Sequence, residues 1–160
     1  MFKDLFISNI NEIFNEIYQY KKTAEDSYTF YTAKGDKIEV IFSGMEAPPF
    51  LDYGVEISFA RNNLTKLNNE GDAFKILGTV LDIIKKEKNK LKEYDPVYFT
   101  AKKSESGRVK LYNIFSKKLQ KMLNKKYMHI ITYNRYNKEI FYIASDNDYN
   151  TNKEFLENTF

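Results

Sequence analysis

Apolar side chains recur along this chain with two spacings, which separate predicted helices from predicted strands. Apolar residues three or four positions apart predict amphipathic helices over 2–20, 73–92 and 107–124. Alternating apolar residues predict strands over 27–32, 37–43, 55–60, 96–101, 127–133 and 139–145. The predicted order of elements is therefore α-β-β-β-α-β-α-β-β, an α+β fold with a mixed central sheet flanked by helices.

Turn residues and helix ends refine this order. Lys34-Gly35-Asp36 predicts a tight turn between the first two strands, and residues 134–138 predict a second hairpin. Asp72 is predicted to cap the helix over 73–92, whose lysine-rich end suits the negative pole of the helix dipole. No internal repeat or linker divides residues 1–160, which predicts one domain. Its ends are an amphipathic helix over 1–21 and a polar tail over 146–160, which is weakly helical towards Phe160.

The amino-acid composition limits the environments in which the protein is expected to work. A chain of 160 residues can bury most of its apolar surface without disulfides or a structural metal. The sequence holds 13 Tyr and 13 Phe but no Cys, which excludes disulfides and a thiol nucleophile and fits a reducing, cytoplasmic environment. No uncharged apolar run approaches the roughly 20 residues of a membrane span, so no membrane partner is expected.

The balance of charge bears on nucleic-acid binding. The formal net charge is +3, from 25 basic and 22 acidic residues. A nucleic-acid-binding domain usually has a larger positive charge concentrated on one face. Nucleic-acid binding therefore stays an alternative that is not favoured, and it requires the lysines of 85–92 and 117–126 to converge in space.

A strand that leads through a polar turn into a helix marks a candidate ligand site. The predicted strand over 96–101 is followed by Ser106, Gly107 and Arg108 at the start of the next helix. Free backbone N–H groups collect at such a helix start and attract anions. Arg108 could clamp an anion through two hydrogen bonds, and Arg61, just past the strand over 55–60, is a second candidate.

The order of elements resembles the core of the GNAT acetyltransferase superfamily over about residues 27–145. Leu111-Tyr112 also stands where that family often has a Leu-Tyr pair. The resemblance implies that acyl-CoA lies between the strands over 55–60 and 97–101, with its pyrophosphate on the turn over 69–73. It further implies an acetyl-CoA-dependent N-acyltransferase in which Tyr112 is the general acid on the departing thiolate. The cofactor-binding residues of that turn would be Gly71, Asp72 and Ala73.

Hydrolytic and metal chemistry find little support. His129 is the only histidine, it lies in a predicted strand interior, and no nucleophile elbow is present, which argues against a Ser-His-Asp triad. A zinc site would need three carboxylates beside this histidine. Asp146 and Asp148 lack the glycine and glutamate spacing of a calcium loop, so no metal ligand is predicted.

The favoured hypothesis is a non-catalytic protein that acts by protein–protein contact on this scaffold, without a cofactor. Glu70 and Asp72 place two carboxylates where phosphates would sit, and the repulsion costs on the order of 1 kcal/mol. Small Cys-free chains rich in Lys, Asn and Ile are typical of phages and mobile elements. Their products serve as virion components or antagonists of host machinery, which predicts a host cytoplasmic or virion location. The alternatives are the N-acyltransferase and a nucleic-acid-binding domain.

Overall fold

The computed structural model describes residues 14, 16–49, 54–61, 70–102, 109–133 and 139–160. In these ranges the chain forms seven strands and three helices. The helices are α1 (Glu70–Leu91), α2 (Val109–Met122) and α3 (Tyr149–Thr159). The strands are β1 (Tyr20–Ala24), β2 (Ser27–Tyr31), β3 (Lys37–Ser43), β4 (Val55–Arg61), β5 (Val97–Lys102), β6 (Tyr127–Tyr133) and β7 (Glu139–Ser145).

The strands form one mixed sheet in the order β1-β2-β3-β4-β5-β7-β6. β4 and β5 are parallel, with Val55 opposite Val97 and Glu56 opposite Tyr98. The ladders of β1 with β2, β2 with β3, β5 with β7 and β6 with β7 are antiparallel. The predicted α+β class with a mixed sheet is confirmed. A helical crossover joins the parallel pair, whereas short connections join β1 to β2, β2 to β3 and β6 to β7, and β5 reaches β7 through α2 and β6.

Contacts within the chain define two compact units, which are described separately. The first unit contains Met1–Ile41 and Phe59–Lys86, and the second contains Phe42–Ser58 and Glu87–Phe160. In the first, β2 and β3 form the hairpin predicted around Gly35, whose φ of +86° is readily adopted by glycine. In β3 the alternate residues Ile38 and Val40 are buried, as expected for a strand with one face in a core, whereas β2 buries three consecutive residues, Tyr28, Thr29 and Phe30.

Helix α1 buries a continuous apolar face. Its buried residues in the first unit recur at helical spacing and include Ala73, Ile76, Leu77, Val80, Ile83 and Ile84. Its last turn carries Lys88 and Lys90, in agreement with the predicted basic end. The helix begins at Glu70, so the prediction that Asp72 is its N-cap is wrong. Asp72 lies in the first helical turn.

An extended segment, residues 16–20, replaces the end of the predicted N-terminal helix. Residues 16–19 have no regular structure and β1 begins at Tyr20, while residues 1–13 lie outside the described residues. This segment, called the strap, lies against α1 in the first unit. A Cβ atom on Gly78 would be only 2.7 Å from the carbonyl oxygen of Glu16. The Tyr18 backbone N–H donates a 2.8 Å hydrogen bond to Thr79 Oγ1, which satisfies a group that a helix would have paired internally.

The second unit places helices on both faces of β5. Phe99 packs edge-to-face on Phe115 of α2, with ring centroids 5.1 Å apart. The preceding residue, Tyr98, packs on Phe155 of α3 at 6.0 Å. Because successive strand residues point to opposite faces, α2 and α3 cover opposite faces of this part of the sheet.

The C-terminal segment differs from the predicted polar tail over 146–160. Asp148 caps α3 by accepting a 2.9 Å hydrogen bond from the Thr151 backbone N–H, and this bond holds the pKa of Asp148 below its ordinary value. Leu156 and Asn152 of α3 are buried. Leu156 belongs to a core cluster that also contains Tyr98, Ile131, Phe141 and Ile143. The segment is therefore part of the second unit's core.

Candidate functional site

The structure describes some of the predicted site residues and not others. Ser106, Gly107 and Arg108 lie outside the described residues. Arg61 is the last residue of β4, and its side chain is also outside the described part. Gly71, Asp72 and Ala73 follow one another in the first turn of α1. Tyr112 lies in α2, in the other unit.

The Asp72 carboxylate at the start of α1 is bound by the strap. The Tyr18 hydroxyl donates a 2.8 Å hydrogen bond to Asp72 Oδ1. Ala73, the next residue, is fully buried. A carboxylate in the first turn of a helix is stabilised by the positive end of the helix dipole. The turn predicted to receive a pyrophosphate therefore already holds a negatively charged group of its own.

The rings of Tyr18 and Tyr20 in the strap are enclosed by neighbours. Tyr18 stacks on Phe30 at 5.8 Å, and Lys75 Nζ lies 4.4 Å from its ring centroid. Lys86 Nζ lies 4.9 Å from the ring centroid of Tyr20.

The Tyr20 hydroxyl donates a 2.6 Å hydrogen bond to Asp82 Oδ2. Burial and then this hydrogen bond raise the pKa of Tyr20. With Tyr18 bound to Asp72, both hydroxyls of the strap are engaged by carboxylates of α1. Both tyrosine side chains already make contacts within the first unit, so their rings are poor stacking platforms for nucleic-acid bases.

Tyr112, the predicted general acid, lies in an aromatic cluster of the second unit. Its side chain is only 5% exposed. Its ring packs on Phe99 at 6.1 Å and on Tyr142 at 5.9 Å, while Phe99 and Tyr142 stack with an interplanar angle of 4°. A general acid must come within hydrogen-bonding distance of its leaving group. The observed position is that of a core tyrosine.

Glu56 of β4 is a titratable residue that the apolar pattern of this strand did not predict as a site residue. It is half-buried between Val55 and Ile57 and lies opposite Tyr98 of β5. Burial, followed by the negative charge of Glu139, raises the pKa of Glu56, and a hydrogen bond from Tyr98 partly opposes the rise. Burial and the charge of Glu56 also raise the pKa of Tyr98. A carboxyl group with a raised pKa is a candidate general base. The only sequence signal for it is a charged residue between two buried apolar ones.

A polar cluster in the second unit is centred on Asp95, just before β5. Ser145 Oγ donates a 2.6 Å hydrogen bond to Asp95 Oδ2, and Asn147 Nδ2 donates one of 2.8 Å to the same oxygen. The Asp146 backbone N–H donates a 2.8 Å hydrogen bond to Asp95 Oδ1. These bonds tie the start of β5 to the end of β7. Asp146 and Asn147 therefore have a structural role in the fold.

Lys125 completes this cluster from the turn before β6. Its side chain is 3% exposed, and its Nζ lies 3.3 Å from Asp95 Oδ1 and 3.7 Å from Asp146 Oδ2. Nζ also donates hydrogen bonds to the carbonyl oxygens of Tyr94, at 2.5 Å, and Lys92, at 3.3 Å. This lysine belongs to the group that the nucleic-acid hypothesis required on the surface. Its charge is used internally instead.

The surface beside β6 carries a row of aromatic side chains. His129 stacks on Tyr127 at 5.4 Å and meets Tyr149 of α3 edge-to-face at 5.7 Å. His129 Nε2 lies 3.2 Å from the Asn147 carbonyl oxygen. His129 lies inside β6, as predicted for a strand histidine. Next to it, Ile130 is 41% exposed, and Tyr149 is 45% exposed.

Neither a metal-ligating cluster nor a membrane-spanning helix occurs in the described ranges. Among these residues, no group of three or more His, Cys, Asp or Glu side chains could hold a metal ion. None of the helices that the structure describes is both long and apolar enough to cross a lipid bilayer. The chain as a whole matches no protein-family model, no curated protein and no solved structure.

Proposed function

We propose that this protein acts by contact with another protein, on a GNAT-like scaffold, and that it does not transfer acyl groups. The observation that carries the proposal is the burial of Tyr112 between Phe99 and Tyr142. To protonate a departing thiolate, this ring would have to leave its core contacts. Aromatic pairs of this kind contribute about 0.5–1.5 kcal/mol each beyond the burial of their area.

The start of α1 supports the same proposal. Asp72 would face any pyrophosphate bound at this helix start, and the Coulomb repulsion between unit charges 4 Å apart is on the order of 1–4 kcal/mol near a protein surface. The Tyr18 hydroxyl, which could otherwise have donated to a phosphate, is bound to this carboxylate. Binding a dinucleotide-like cofactor here would therefore require the strap to give up a contact with α1.

The exposed apolar residues of the second unit provide a surface for a protein partner. Ile130 and Tyr149 are large apolar side chains with more than a third of their surface exposed, and Tyr149 contacts the ring of His129, the residue before Ile130 in β6. Aromatic residues with a polar tip are enriched in protein interfaces. The composition of the chain favours a phage or mobile-element product acting in the host cytoplasm or the virion.

A ligand-binding experiment tests the proposal against acyl-CoA chemistry. Thermal unfolding is measured with and without acetyl-CoA and CoA. A ligand present at 100 times its dissociation constant stabilises the fold by about 2.7 kcal/mol, which corresponds to a rise of roughly 5–10 °C in Tm for a chain of this size. We expect no shift with either ligand. A shift accompanied by acetyl transfer that Tyr112→Phe abolishes would overturn the proposal.

An N-acyltransferase is the second candidate, favoured by two observations in the second unit. β4 and β5 pair in parallel, and these are the strands between which the resemblance implies acyl-CoA. Glu56 lies on this pair with a raised pKa and could accept a proton from an amine substrate. This candidate predicts that Glu56→Gln lowers kcat strongly while the CoA-induced shift in Tm persists. No acyl transfer by the wild-type protein would exclude it.

A further inference from the structure

We propose that β6 pairs with β6 of a second copy of this chain, so that two sheets join edge to edge across a two-fold axis. The inference deepens the proposed function, on which it rests, by naming the contact surface and one partner. The partner strand is identical and runs antiparallel. Strand addition of this kind uses the unpaired backbone groups of an edge strand for affinity and its side chains for register.

Within the part of the chain that the structure describes, β6 has the properties of an unprotected edge. It stands at the end of the strand order, and all seven of its residues, Tyr127–Tyr133, pair with β7 without a shift in register. None of these seven residues is charged in a chain whose charged fraction is 29%. Natural proteins usually protect a regular edge strand with charges, bulges or a covering segment, since such an edge templates further pairing.

The opposite edge of the sheet shows such protection. β1 carries the exposed residues Lys21 and Lys22, and its ladder with β2 shifts register between Lys22 and Ala24. Lysines and a bulge are two of the devices that discourage edge-to-edge association. The absence of both from β6, within the described residues, makes β6 the edge that is suited to pairing.

The sequence of β6 is compatible with pairing to itself. Centring an antiparallel pair on Ile130 opposes Ile130 to its own copy and uses all seven residues. Tyr127 then lies opposite Tyr133 of the partner subunit, and His129 lies opposite Ile131 of the partner subunit. Opposed residues belong to the same face of the sheet in this register, so both faces continue across the axis. No like charges meet, and the aromatic pairs that result are among the favourable cross-strand pairs.

The side chains beside β6 enlarge this contact. Ile130 is exposed on one face of the strand, and Tyr149 is exposed on the other face, where it packs on His129. These are two of the four large apolar side chains that the described ranges leave strongly exposed, the others being Ile17 and Tyr31 in the first unit. A two-fold axis through Ile130 brings both of them to the interface twice.

The first experiment measures mass in solution by sedimentation equilibrium over a series of concentrations. We expect the wild-type protein to reach the mass of two chains and Ile130→Lys to remain at the mass of one chain with an unchanged circular dichroism spectrum. The matched control is Tyr31→Lys, which places the same charge on an exposed apolar residue of β2, a strand with neighbours on both sides. It should sediment as the wild type does.

The second experiment tests the register and stays informative if Ile130→Lys does not fold. The chain has no cysteine, so a single introduced thiol can cross-link only to its own copy. Opposed Cα atoms in an antiparallel pair are about 4.5–5.5 Å apart, within the range of a disulfide. Ile130→Cys should therefore form a disulfide-linked dimer on mild oxidation. Thr132→Cys should not, because its copy would lie about 13–14 Å away along the strands.

The possible results separate this inference from the proposed function. A wild-type protein that stays at the mass of one chain, a dimer that survives Ile130→Lys, or equal cross-linking of both cysteine variants would overturn β6 pairing. A monomer that gains mass only with an extended segment of another protein would also overturn it, yet would leave action by protein contact intact. A CoA-induced shift in Tm accompanied by acetyl transfer that Tyr112→Phe abolishes would overturn the proposed function whatever the mass.

Discussion

Replacing Lys125 with methionine removes the charge at the centre of the second unit's polar cluster. The Lys125 side chain is 3% exposed and contacts Asp95, Asp146 and two backbone carbonyls. Methionine retains an apolar stem of similar length, so the packing around the stem should be largely preserved. The measured effect then reports mainly the loss of the ammonium group and its hydrogen bonds.

The expected cost lies at the lower end of the range for a broken buried ion pair. Removing one partner of such a pair costs about 3–5 kcal/mol, because the other charge is left uncompensated. Asp95 is 22% exposed and keeps hydrogen bonds from Ser145, Asp146 and Asn147. Its charge therefore stays partly stabilised. We expect Lys125→Met to lower the free energy of unfolding by about 3 kcal/mol and Tm by about 6–12 °C.

The matched control for this variant is Lys126→Met, one residue further along the chain. Lys126 is exposed, and its Nζ lies 5.2 Å from the ring centroid of Tyr127. An exposed cation–π contact contributes about 0.5–1 kcal/mol, so this variant should unfold near the wild-type temperature. Both are followed by circular dichroism during heating and in urea. If the free energies of unfolding of Lys125→Met and Lys126→Met differ by less than about 1 kcal/mol, the polar cluster contributes no more to stability than a surface ion pair.

A double-mutant cycle assigns the effect to the ion pair. Asp95→Asn is measured in the wild-type protein and in the Lys125→Met variant. Residues in contact show coupling energies of about 0.5–3 kcal/mol. Asp95→Asn should therefore cost less when Lys125 is already methionine. Additive costs would mean that the two charges stabilise the fold independently.

Three further variants test the core, a backbone turn and a titrating group. Leu111→Ala should cost roughly 2–5 kcal/mol in urea unfolding, because this side chain is only 7% exposed; an unchanged midpoint would contradict its place in the core. Gly44→Ala should destabilise the fold far more than Gly35→Ala, although both glycines have positive φ. A Cβ atom on Gly44 would be 2.5 Å from the Gly54 carbonyl oxygen, whereas nothing lies within 4 Å of a Cβ atom on Gly35. The pKa of Glu56 is raised in the folded state, so the wild-type protein should lose stability as pH rises through that folded pKa. Glu56→Gln should remove this part of the pH dependence, and identical pH profiles of the two proteins would contradict it.

The C-terminal hairpin shows what the sequence pattern predicts well. The bounds predicted for its two strands, 127–133 and 139–145, are those observed for β6 and β7. Both strands carry β-branched and aromatic residues and are separated by a short polar segment. Local propensity, spacing and turn composition agree there, and agreement between these levels makes a prediction reliable.

β1 and α3 were harder to predict because their local sequences resemble solvent-exposed segments. β1 reads Tyr-Lys-Lys-Thr-Ala, and four of its five residues are exposed, so it has no alternating apolar face. α3 is rich in Asn, Glu and Thr, and its buried residues are Asn152 and Leu156. Asn152 Nδ2 is satisfied by the Asn147 carbonyl oxygen. A polar residue can be buried when tertiary structure supplies its partner, which a local pattern does not reveal.

The candidate site was less predictable than the fold for a related reason. Whether Tyr112 is an acid or a core residue depends on the rings of Phe99 and Tyr142, the latter from a distant strand. The Asp72 carboxylate binds the hydroxyl of Tyr18, 54 residues away, a contact that the local sequence does not reveal. Residue type and helical position are the same in both interpretations. Only the long-range contacts distinguish them.

Several polar groups are already bound within the protein, so its surface is the more favourable place for a partner to bind. The Tyr18 hydroxyl and the Lys125 ammonium group, which could have bound a phosphate, are held by Asp72 and Asp95. Releasing either group to bind a ligand would break a hydrogen bond to a charged group, which costs about 1.5–3 kcal/mol. The β6 edge requires no such exchange, because strand pairing adds hydrogen bonds and covers Ile130 without disturbing existing contacts. On the proposal that this protein acts by contact, a partner that docks at β6 would break none of the internal contacts of Asp72 and Lys125.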